Sequence, residues 1–97
     1  MKVLVQVYTH PTCLTCPQAI RLTQDLAAKD ADIDLRITSL ATERGRAQAA
    51  ALNILSVPTI LVGEQQTRFA RVPTRAELVE AIQKARENSK FLIQNST

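Results

Sequence analysis

Short apolar stretches along the chain predict four β-strands. The first stretch, Val3–Tyr8, contains a single polar residue, Gln6, which is typical of a strand covered on both faces in the middle of an α/β sheet. The other strands are predicted over Ile33–Ile37, Thr59–Val62 and Thr67–Val72. A turn over Gly63–Gln66 is expected to join the last two strands as a hairpin.

Apolar spacing and capping residues predict the first two helices. Over Thr15–Lys29, apolar residues recur at the spacing of one buried helix face. A second helix has Thr42 as its N-cap and continues to Leu52, and Asn53 after it is expected to be a left-handed C-cap. Gly45 in the first turn of this helix costs up to about 1 kcal/mol of helix propensity.

The third helix has the clearest predicted start. The segment Thr74-Arg75-Ala76-Glu77 matches a capping box, in which the first and last residues satisfy each other's backbone N–H groups. An apolar stripe follows it and indicates one buried face. The sequence leaves open whether Phe91-Leu92-Ile93 extends this stripe or folds back as a docked tail.

The predicted order of elements is β-α-β-α-β-β-α, which is typical of an α/β fold. Because the first βαβ crossover should be right-handed, the first two strands are expected to be parallel and the last two to form an antiparallel hairpin. A chain of 97 residues has the usual size of one domain, so residues 1–97 are expected to form a single domain.

Composition and charge argue against several classes of function. Aromatic residues make up 3% of the chain, too few for the stacking platforms that bind single-stranded nucleic acids. The net charge of +3 is not gathered into a Lys/Arg cluster, which indicates a solvated surface rather than a nucleic-acid patch. No apolar run approaches the ~18 residues of a membrane span, and Val3-Leu4-Val5 is too short for the apolar part of a signal peptide. We therefore expect a cytoplasmic protein with no nucleic-acid or membrane partner.

Two cysteines, Cys13 and Cys16, form one C-x-x-C. A disulfide that closes so short a loop constrains little of the unfolded chain, so a structural staple is a poor explanation for the pair. In a reducing cytoplasm such a pair is redox-active or metal-binding. A metal-binding module would use His10 with both cysteines, or a cysteine pair from each of two chains, because one chain alone lacks the four ligands of a closed zinc site.

The predicted place of the cysteines favours redox chemistry. At the start of the first helix, Cys13 meets unpaired backbone N–H groups and the positive end of the helix dipole, both of which stabilise a thiolate. Cys13 would attack a substrate disulfide, and Cys16 would resolve the mixed disulfide. His10, as an imidazolium or as a base, would tune the pKa of the Cys13 thiol.

Two motifs, set in this order of elements, resemble the thioredoxin/glutaredoxin superfamily. Thr12-Cys13-Leu14-Thr15-Cys16-Pro17 lies between a buried strand and a helix, and Ser56-Val57-Pro58-Thr59 opens the third strand, where the family carries its cis-proline. The resemblance implies a minimal thioredoxin-like fold with a four-stranded mixed sheet in the order 2-1-3-4. The first and third helices would cover one face of this sheet, and the second helix the other.

The same resemblance implies an activity and the residues that carry it. It implies a thiol–disulfide oxidoreductase that reduces protein disulfides by dithiol exchange, with no metal or other cofactor. Val57–Pro58 is expected to be cis and, together with Thr12, to contact the substrate, with the Val57 backbone pairing with an extended peptide. The implied partners are disulfide-containing client proteins and a thioredoxin-reductase-like electron donor, and the protein is expected to be a monomer.

Subfamily features favour a small prokaryotic thioredoxin-like protein, with a glutathione-dependent glutaredoxin as the alternative. His10-Pro11-Thr12-Cys13 looks like the lead-in of glutaredoxins, but those proteins hold glutathione with a Gly-Gly turn and an Asp that caps the last helix. Here Gly63 is followed by Glu64, and Val72-Pro73-Thr74-Arg75 offers no acid at the cap. Compared with thioredoxin itself, Val7 stands where that family has a buried Asp behind the cysteines.

Overall fold

The computed structural model describes residues 2–63 and 67–95, with side chains through residue 87. The described elements are β1 (Val3–Thr9), α1 (Cys16–Lys29), β2 (Ile33–Ser39), α2 (Glu43–Ala51), β3 (Thr59–Val62), β4 (Thr67–Phe69) and α3 (Arg75–Asn95). Their order is the predicted β-α-β-α-β-β-α. The predicted turn residues after Gly63 lie outside the described residues, and Gly63 itself has a positive φ of 73°, which glycine adopts without a steric penalty.

Three strands end at other residues than predicted, and the first of them, β1, ends at Thr9 rather than Tyr8. β2 continues two residues further, to Ser39, because Ser39 stays in register with Thr9 of β1. β4 ends at Phe69 rather than Val72. Phe69 lies opposite Ile60, close to the start of β3, and the residue before β3 is Pro58, which has no N–H to continue the ladder.

The helix α3 passes through Phe91-Leu92-Ile93 as continuous helical backbone and ends at Asn95. Of the two alternatives, an extended helix or a tail that folds back, the backbone therefore follows the extended helix. The side chains of these three residues lie outside the described residues.

The strands form one mixed sheet in the order β2-β1-β3-β4, as the resemblance implied. β1 is parallel to β2 and antiparallel to β3, and β4 is antiparallel to β3. The central strand β1 is therefore flanked on both sides, which explains its nearly continuous run of apolar residues.

Each face of the sheet has its own apolar core. One core lies under α1 and α3 and contains Val3, Val5, Val7, Ala19, Ile60, Val62, Leu78, Ala81, Ile82 and Ala85. The other core lies under α2 and contains Tyr8, Ala49, Ile54 and Leu61. The helices thus divide between the two faces as expected, and alternate residues of β1 face opposite cores.

The start of α2 explains a glycine that is unfavourable on propensity alone. The Thr42 hydroxyl accepts a hydrogen bond from the Gly45 N–H at 2.9 Å, which confirms Thr42 as the N-cap. A Cβ at Gly45 would clash with the backbone carbonyl oxygen of Ser39. The glycine therefore allows the first turn of α2 to lie directly against the end of β2. Asn53 follows the other end of α2 with a φ of 56°, the left-handed conformation predicted for it.

Among the described residues, no helix combines the length and the apolar composition that crossing a membrane requires.

Candidate active site

The candidate site lies at one edge of the sheet, where β1 ends and β3 begins. Tyr8 near the end of β1 is in register with Thr59, the first residue of β3. The loop that carries the cysteines follows β1, and the loop that contains Pro58 precedes β3. The antiparallel pairing of β1 and β3 therefore brings the two sequence motifs to the same end of the molecule.

Cys13 and Cys16 are joined by a disulfide, with their Cα atoms 5.4 Å apart. The two cysteines differ in accessibility: Cys13 is half-buried, whereas Cys16 is 2% exposed and lies in the first turn of α1. Leu14 between them is 93% exposed. One sulfur is thus placed toward the solvent side of the pair and the other toward the protein interior.

The sulfur of Cys13 takes the place of a side-chain cap at the start of α1. The N-cap residue, Thr15, makes no side-chain capping bond, because its backbone is in the helical region rather than extended. Instead, the Cys16 N–H donates to Cys13 Sγ at 3.1 Å. Pro17 has no N–H, and the first turn holds no acidic residue. The positive end of α1 therefore faces Cys13 Sγ with no carboxylate from that turn beside it.

His10 shapes the turn that leads into the cysteines. Its Nδ1 accepts a hydrogen bond from the Thr12 N–H at 3.2 Å and lies 2.8 Å from Thr12 Oγ1. The Cys13 N–H in turn donates to the His10 carbonyl oxygen at 3.0 Å. An Nδ1 that accepts an N–H carries no proton, so the neutral ring in this geometry holds its proton on Nε2. The structure thus pairs His10 with Thr12, and the tuning of the thiol by His10 stays a prediction.

The Val57–Pro58 peptide bond is cis, the geometry that the resemblance implied. Pro58 is buried and Val57 is half-buried, while Ser56 before them is exposed. The Thr59 hydroxyl donates to the Ser56 carbonyl oxygen at 2.6 Å, which ties this loop to the first residue of β3.

Arg68 of β4 holds the start of the loop that leads to Pro58, and sequence reasoning missed it. Its guanidinium donates to the carbonyl oxygens of Leu52 at 2.7 Å and Asn53 at 3.1 Å, at the end of α2 where the loop to Pro58 begins. These contacts satisfy carbonyl groups that a helix C-terminus leaves unpaired. They join residues 15 and 16 positions apart in the sequence, so no local pattern signals them. Leu55 in the same loop, 96% exposed, was likewise not singled out.

Among the side chains that the structure describes, no charged group lies in the core behind the cysteines. Val7 is fully buried, and the buried polar residues in the described part of the chain are Thr9, Thr23 and Thr59, all of them uncharged. Tyr8 packs in the core under α2, where its hydroxyl donates to Gln6 Oε1 at 3.0 Å and burial raises its pKa. Within residues 2–63 and 67–95, no group of three or more His, Cys, Asp or Glu side chains is placed to hold a metal ion.

Comparison with known proteins agrees with this geometry. The family model described as a thioredoxin domain matches residues 1–83. A probable thioredoxin from Methanothermobacter thermautotrophicus is 34% identical over 83 residues, which cover 84% of this chain and 94% of that protein. A thioredoxin from Methanocaldococcus jannaschii is 31% identical over 83 residues, covering 86% of this chain and 95% of that protein.

Solved structures share the fold at lower sequence identity. Thioredoxin 1 from Thermosipho africanus superimposes with a TM-score of 0.73 at 21% identity, covering 90% of this chain and 98% of that one. A mutant thioredoxin from Halobacterium salinarum gives a TM-score of 0.76 at 16% identity, covering 87% and 74%. Together with the C-x-x-C disulfide at the start of α1, these matches identify a thiol–disulfide oxidoreductase that acts by dithiol exchange. The chain belongs to the thioredoxin domain family.

Proposed function

We propose that Cys13 is the attacking thiolate and Cys16 the resolving thiol in the reduction of protein disulfides. The observation that carries this assignment is the hydrogen bond from the Cys16 N–H to Cys13 Sγ, on the more accessible of the two sulfurs. A backbone N–H at a helix N-terminus stabilises a sulfur anion and lowers the pKa of its thiol. The buried Cys16 has no comparable access to a client.

The reaction proceeds in two exchanges. The Cys13 thiolate attacks one sulfur of the client disulfide, forms a mixed disulfide and releases the other client sulfur as a thiolate. Cys16, after loss of its proton, attacks Cys13 Sγ, so the client leaves with two thiols and the Cys13–Cys16 disulfide remains. Two electrons pass from the protein to the client. Because Val7 leaves no buried carboxylate behind the pair, we propose that water takes the Cys16 proton.

Client proteins bind beside the cysteines in an extended conformation. The proposal assigns Thr12, Val57 and Pro58 to this contact, with the Val57 backbone pairing with the client peptide. Val57 precedes β3 rather than belonging to it, so it has no place in the ladder with β1. The exposed side chains of Leu14 and Leu55 favour a polypeptide client over a small polar disulfide. His10 acts on the thiol through the turn that it forms with Thr12.

A thioredoxin-reductase-like protein supplies the electrons in this proposal, and glutathione is a poor donor. The glutathione contacts of glutaredoxins are missing, since Gly63 stands alone and the cap of α3 is Thr74 rather than an acid. A reductant of disulfides acts where thiols are kept reduced, so the protein contributes to electron transport and redox homeostasis in the cytoplasm. The proposal draws every site residue from one chain, so the protein acts as a monomer.

Trapping of the mixed disulfide tests the roles of the cysteines. A Cys16→Ser variant incubated with native insulin should accumulate a mixed disulfide, because the variant lacks the thiol that would resolve it. Insulin whose disulfides have been reduced and blocked is the control and should form no adduct. The matched Cys13→Ser variant should accumulate none. Mass spectrometry of the adducts locates the bonded cysteine. Trapping by Cys13→Ser instead would reverse the assignment.

A coupled assay tests the proposed donor. Insulin reduction should be accelerated when dithiothreitol or a thioredoxin reductase with NADPH supplies the electrons. Glutathione with glutathione reductase should support little turnover, on insulin or on a small glutathione mixed disulfide. Efficient turnover with glutathione would assign the protein to the glutaredoxin alternative.

A further inference from the structure

An arginine of β4 lies on the face of the sheet that α2 covers. In the antiparallel pairing of β3 and β4, Arg68 is directly opposite Leu61. Directly opposite residues carry their side chains on the same face of a sheet, and Leu61 packs in the core under α2. The Arg68 side chain can therefore reach the loop that joins α2 to β3.

The Arg68 guanidinium binds the first two residues of this loop. Its Nη2 donates to the Leu52 carbonyl oxygen at 2.7 Å, and its Nη1 donates to the Asn53 carbonyl oxygen at 3.1 Å. A planar guanidinium holds these two nitrogens in a rigid fork, so the two bonds fix the orientation of the chain as well as its position. No carboxylate in the described part of the chain forms an ion pair with Arg68. Its hydrogen bonds thus go to the backbone of the loop.

These two bonds add to a turn that already ends α2. The Ile54 N–H donates to the Ala49 carbonyl oxygen at 2.9 Å. The Asn53 N–H donates to the Ala50 carbonyl oxygen at 3.2 Å, and Asn53 is in the left-handed conformation. This pattern is a Schellman motif, which pairs carbonyl groups inside the helix. The two carbonyl groups that Arg68 binds lie beyond the motif and take their donors from β4 instead.

The other end of the loop is fixed separately. The Thr59 hydroxyl donates to the Ser56 carbonyl oxygen at 2.6 Å, and Pro58 is buried at the start of β3. Leu55 lies between the two fixed ends and is 96% exposed. The backbone on both sides of Leu55 is therefore held, while its side chain is left for a partner.

We propose that Arg68 is a positioning residue for client binding. It holds the loop of residues 52–58 in the geometry that presents Leu55 and the Val57 backbone to the client. This inference rests on the proposed function, in which the client pairs with the chain beside Pro58. Arg68 acts through the loop and not on the cysteines.

This role predicts an effect on client binding rather than on sulfur exchange. When a loop spends only part of its time in the binding geometry, the apparent affinity falls in proportion to that fraction. The hydrogen bond from the Cys16 N–H to Cys13 Sγ involves neither Arg68 nor the loop. Loss of Arg68 should therefore raise the client concentration needed for half-saturation and leave the limiting rate unchanged.

Arg46 provides a matched control on a different loop. It is exposed like Arg68, and its Nη1 donates to the carbonyl oxygens of Leu40 at 3.2 Å and Ala41 at 3.1 Å, between β2 and α2. Arg46→Met and Arg68→Met each remove one positive charge and two hydrogen bonds to loop carbonyls. Of the two loops, the one that Arg68 binds leads to Pro58.

Single-turnover kinetics test the inference. Pre-reduced protein is mixed with increasing insulin, and the loss of free thiols is followed by acid quenching, alkylation and mass spectrometry. Arg68→Met should raise the half-saturating insulin concentration at least about threefold at an unchanged limiting rate, whereas Arg46→Met should match the wild type. Arg68→Lys keeps the charge and one donor nitrogen and should recover part of the loss. With bis(2-hydroxyethyl) disulfide, which is small and uncharged, all four proteins should react at the same rate.

Amide hydrogen exchange tests the loop without the redox reaction. The N–H groups of Asn53 and Ile54 are bonded to α2, and their exchange should be at least about threefold faster in Arg68→Met than in the wild type or Arg46→Met. Unchanged exchange at both groups would overturn the proposal. So would a wild-type response of Arg68→Met to insulin, or an equal loss of affinity in Arg46→Met. A wild-type protein that reduces no insulin would instead overturn the proposed function, and the exchange rates would still decide whether Arg68 holds the loop.

Discussion

The N-termini of α1 and α3 are built in opposite ways. At α3, Thr74 Oγ1 accepts a hydrogen bond from the Glu77 N–H at 3.1 Å, and Glu77 Oε1 accepts one from the Thr74 N–H at 2.9 Å. At α1, the N-cap Thr15 makes no such bond, and the Cys16 N–H donates to the sulfur of Cys13. One helix start is closed by its own side chains, and the other is closed by a redox-active sulfur.

The positive N-terminus of a helix therefore has two different uses in this protein. Every helix start offers unpaired N–H groups and a positive dipole end. At α3 these are neutralised by a carboxylate that Arg71 also holds through two hydrogen bonds, at 3.0 and 2.6 Å, which stabilises the fold. At α1 they remain available to a thiolate once the disulfide is reduced, which supports chemistry. In the proposed mechanism, the absence of an acidic residue from the first turn of α1 leaves the positive end of this helix to the Cys13 thiolate.

The largest effect is expected when a carboxylate is introduced at the N-terminus of α1, which makes this helix start resemble that of α3. We expect Thr15→Asp to raise the pKa of the reduced Cys13 thiol, because Thr15 Oγ1 lies only 3.8 Å from Cys13 Sγ and a carboxylate there opposes a second negative charge. Alkylation of Cys13 by iodoacetamide at neutral pH should slow by about tenfold. The matched Thr15→Asn variant has the same shape without the charge and should react at nearly the wild-type rate. Equal rates for the two variants would show that charge at the helix start does not govern the thiol.

A smaller effect is expected when the capping box at the N-terminus of α3 is disrupted. Thr74→Ala removes the cap acceptor and should lower the free energy of unfolding by about 1 kcal/mol, measured by denaturant titration. Thr74→Ser keeps the hydroxyl and should restore most of that loss. The rate of Cys13 alkylation should not change in either variant. A slower alkylation in Thr74→Ala would mean that the two helix starts are coupled.

Local signals in the sequence predicted most of the fold. The capping box at Thr74, the N-cap at Thr42 and the left-handed Asn53 are all decided by residues within one turn, and the structure confirms each of them. The sheet order came from the resemblance, which rested on the C-x-x-C and on the Val-Pro-Thr segment at the start of β3. These two short motifs, at the right places in the order of elements, were enough to predict the sheet order.

Features that join distant parts of the chain could not be predicted in this way. Gly45 counts against a helix when only propensity is considered. A glycine is needed there because any Cβ would clash with the carbonyl oxygen of Ser39, at the end of β2. The Arg68 contacts with the end of α2 depend on where β4 lies in the sheet. At the site itself, the sequence placed the cysteines at the helix start, but the pairing of His10 with Thr12 depends on the shape of one turn.

The smallest effect is a dependence of stability on pH that belongs to α3 and not to α1. The hydrogen bonds from Arg71 and Thr74 lower the pKa of Glu77 from 4.5 to about 2 in the folded protein. Because the folded pKa is the lower one, the ionised carboxylate stabilises the fold fully above pH 4.5, and this contribution is lost as the pH falls from 4.5 toward 2. The first turn of α1 has no acidic residue and contributes nothing in this range.

Denaturant titrations between pH 2 and pH 7 measure this effect as the difference between wild type and Glu77→Gln. The difference should be largest at neutral pH and should fall to a small remainder near pH 2, where about half of the Glu77 carboxyl groups are protonated in the folded wild type as well. Hydrogen bonds from Arg75 and Arg86 lower the pKa values of Asp25 and Asp30, so these two carboxylates also make the free energy of unfolding fall at acid pH. Their contributions are the same in both proteins and cancel in the difference. Glu80→Gln, at an exposed glutamate one turn further along α3, is the matched control and should follow the wild type. A difference that stays constant with pH would show that the Glu77 side chain stabilises α3 by its shape and not by its charge.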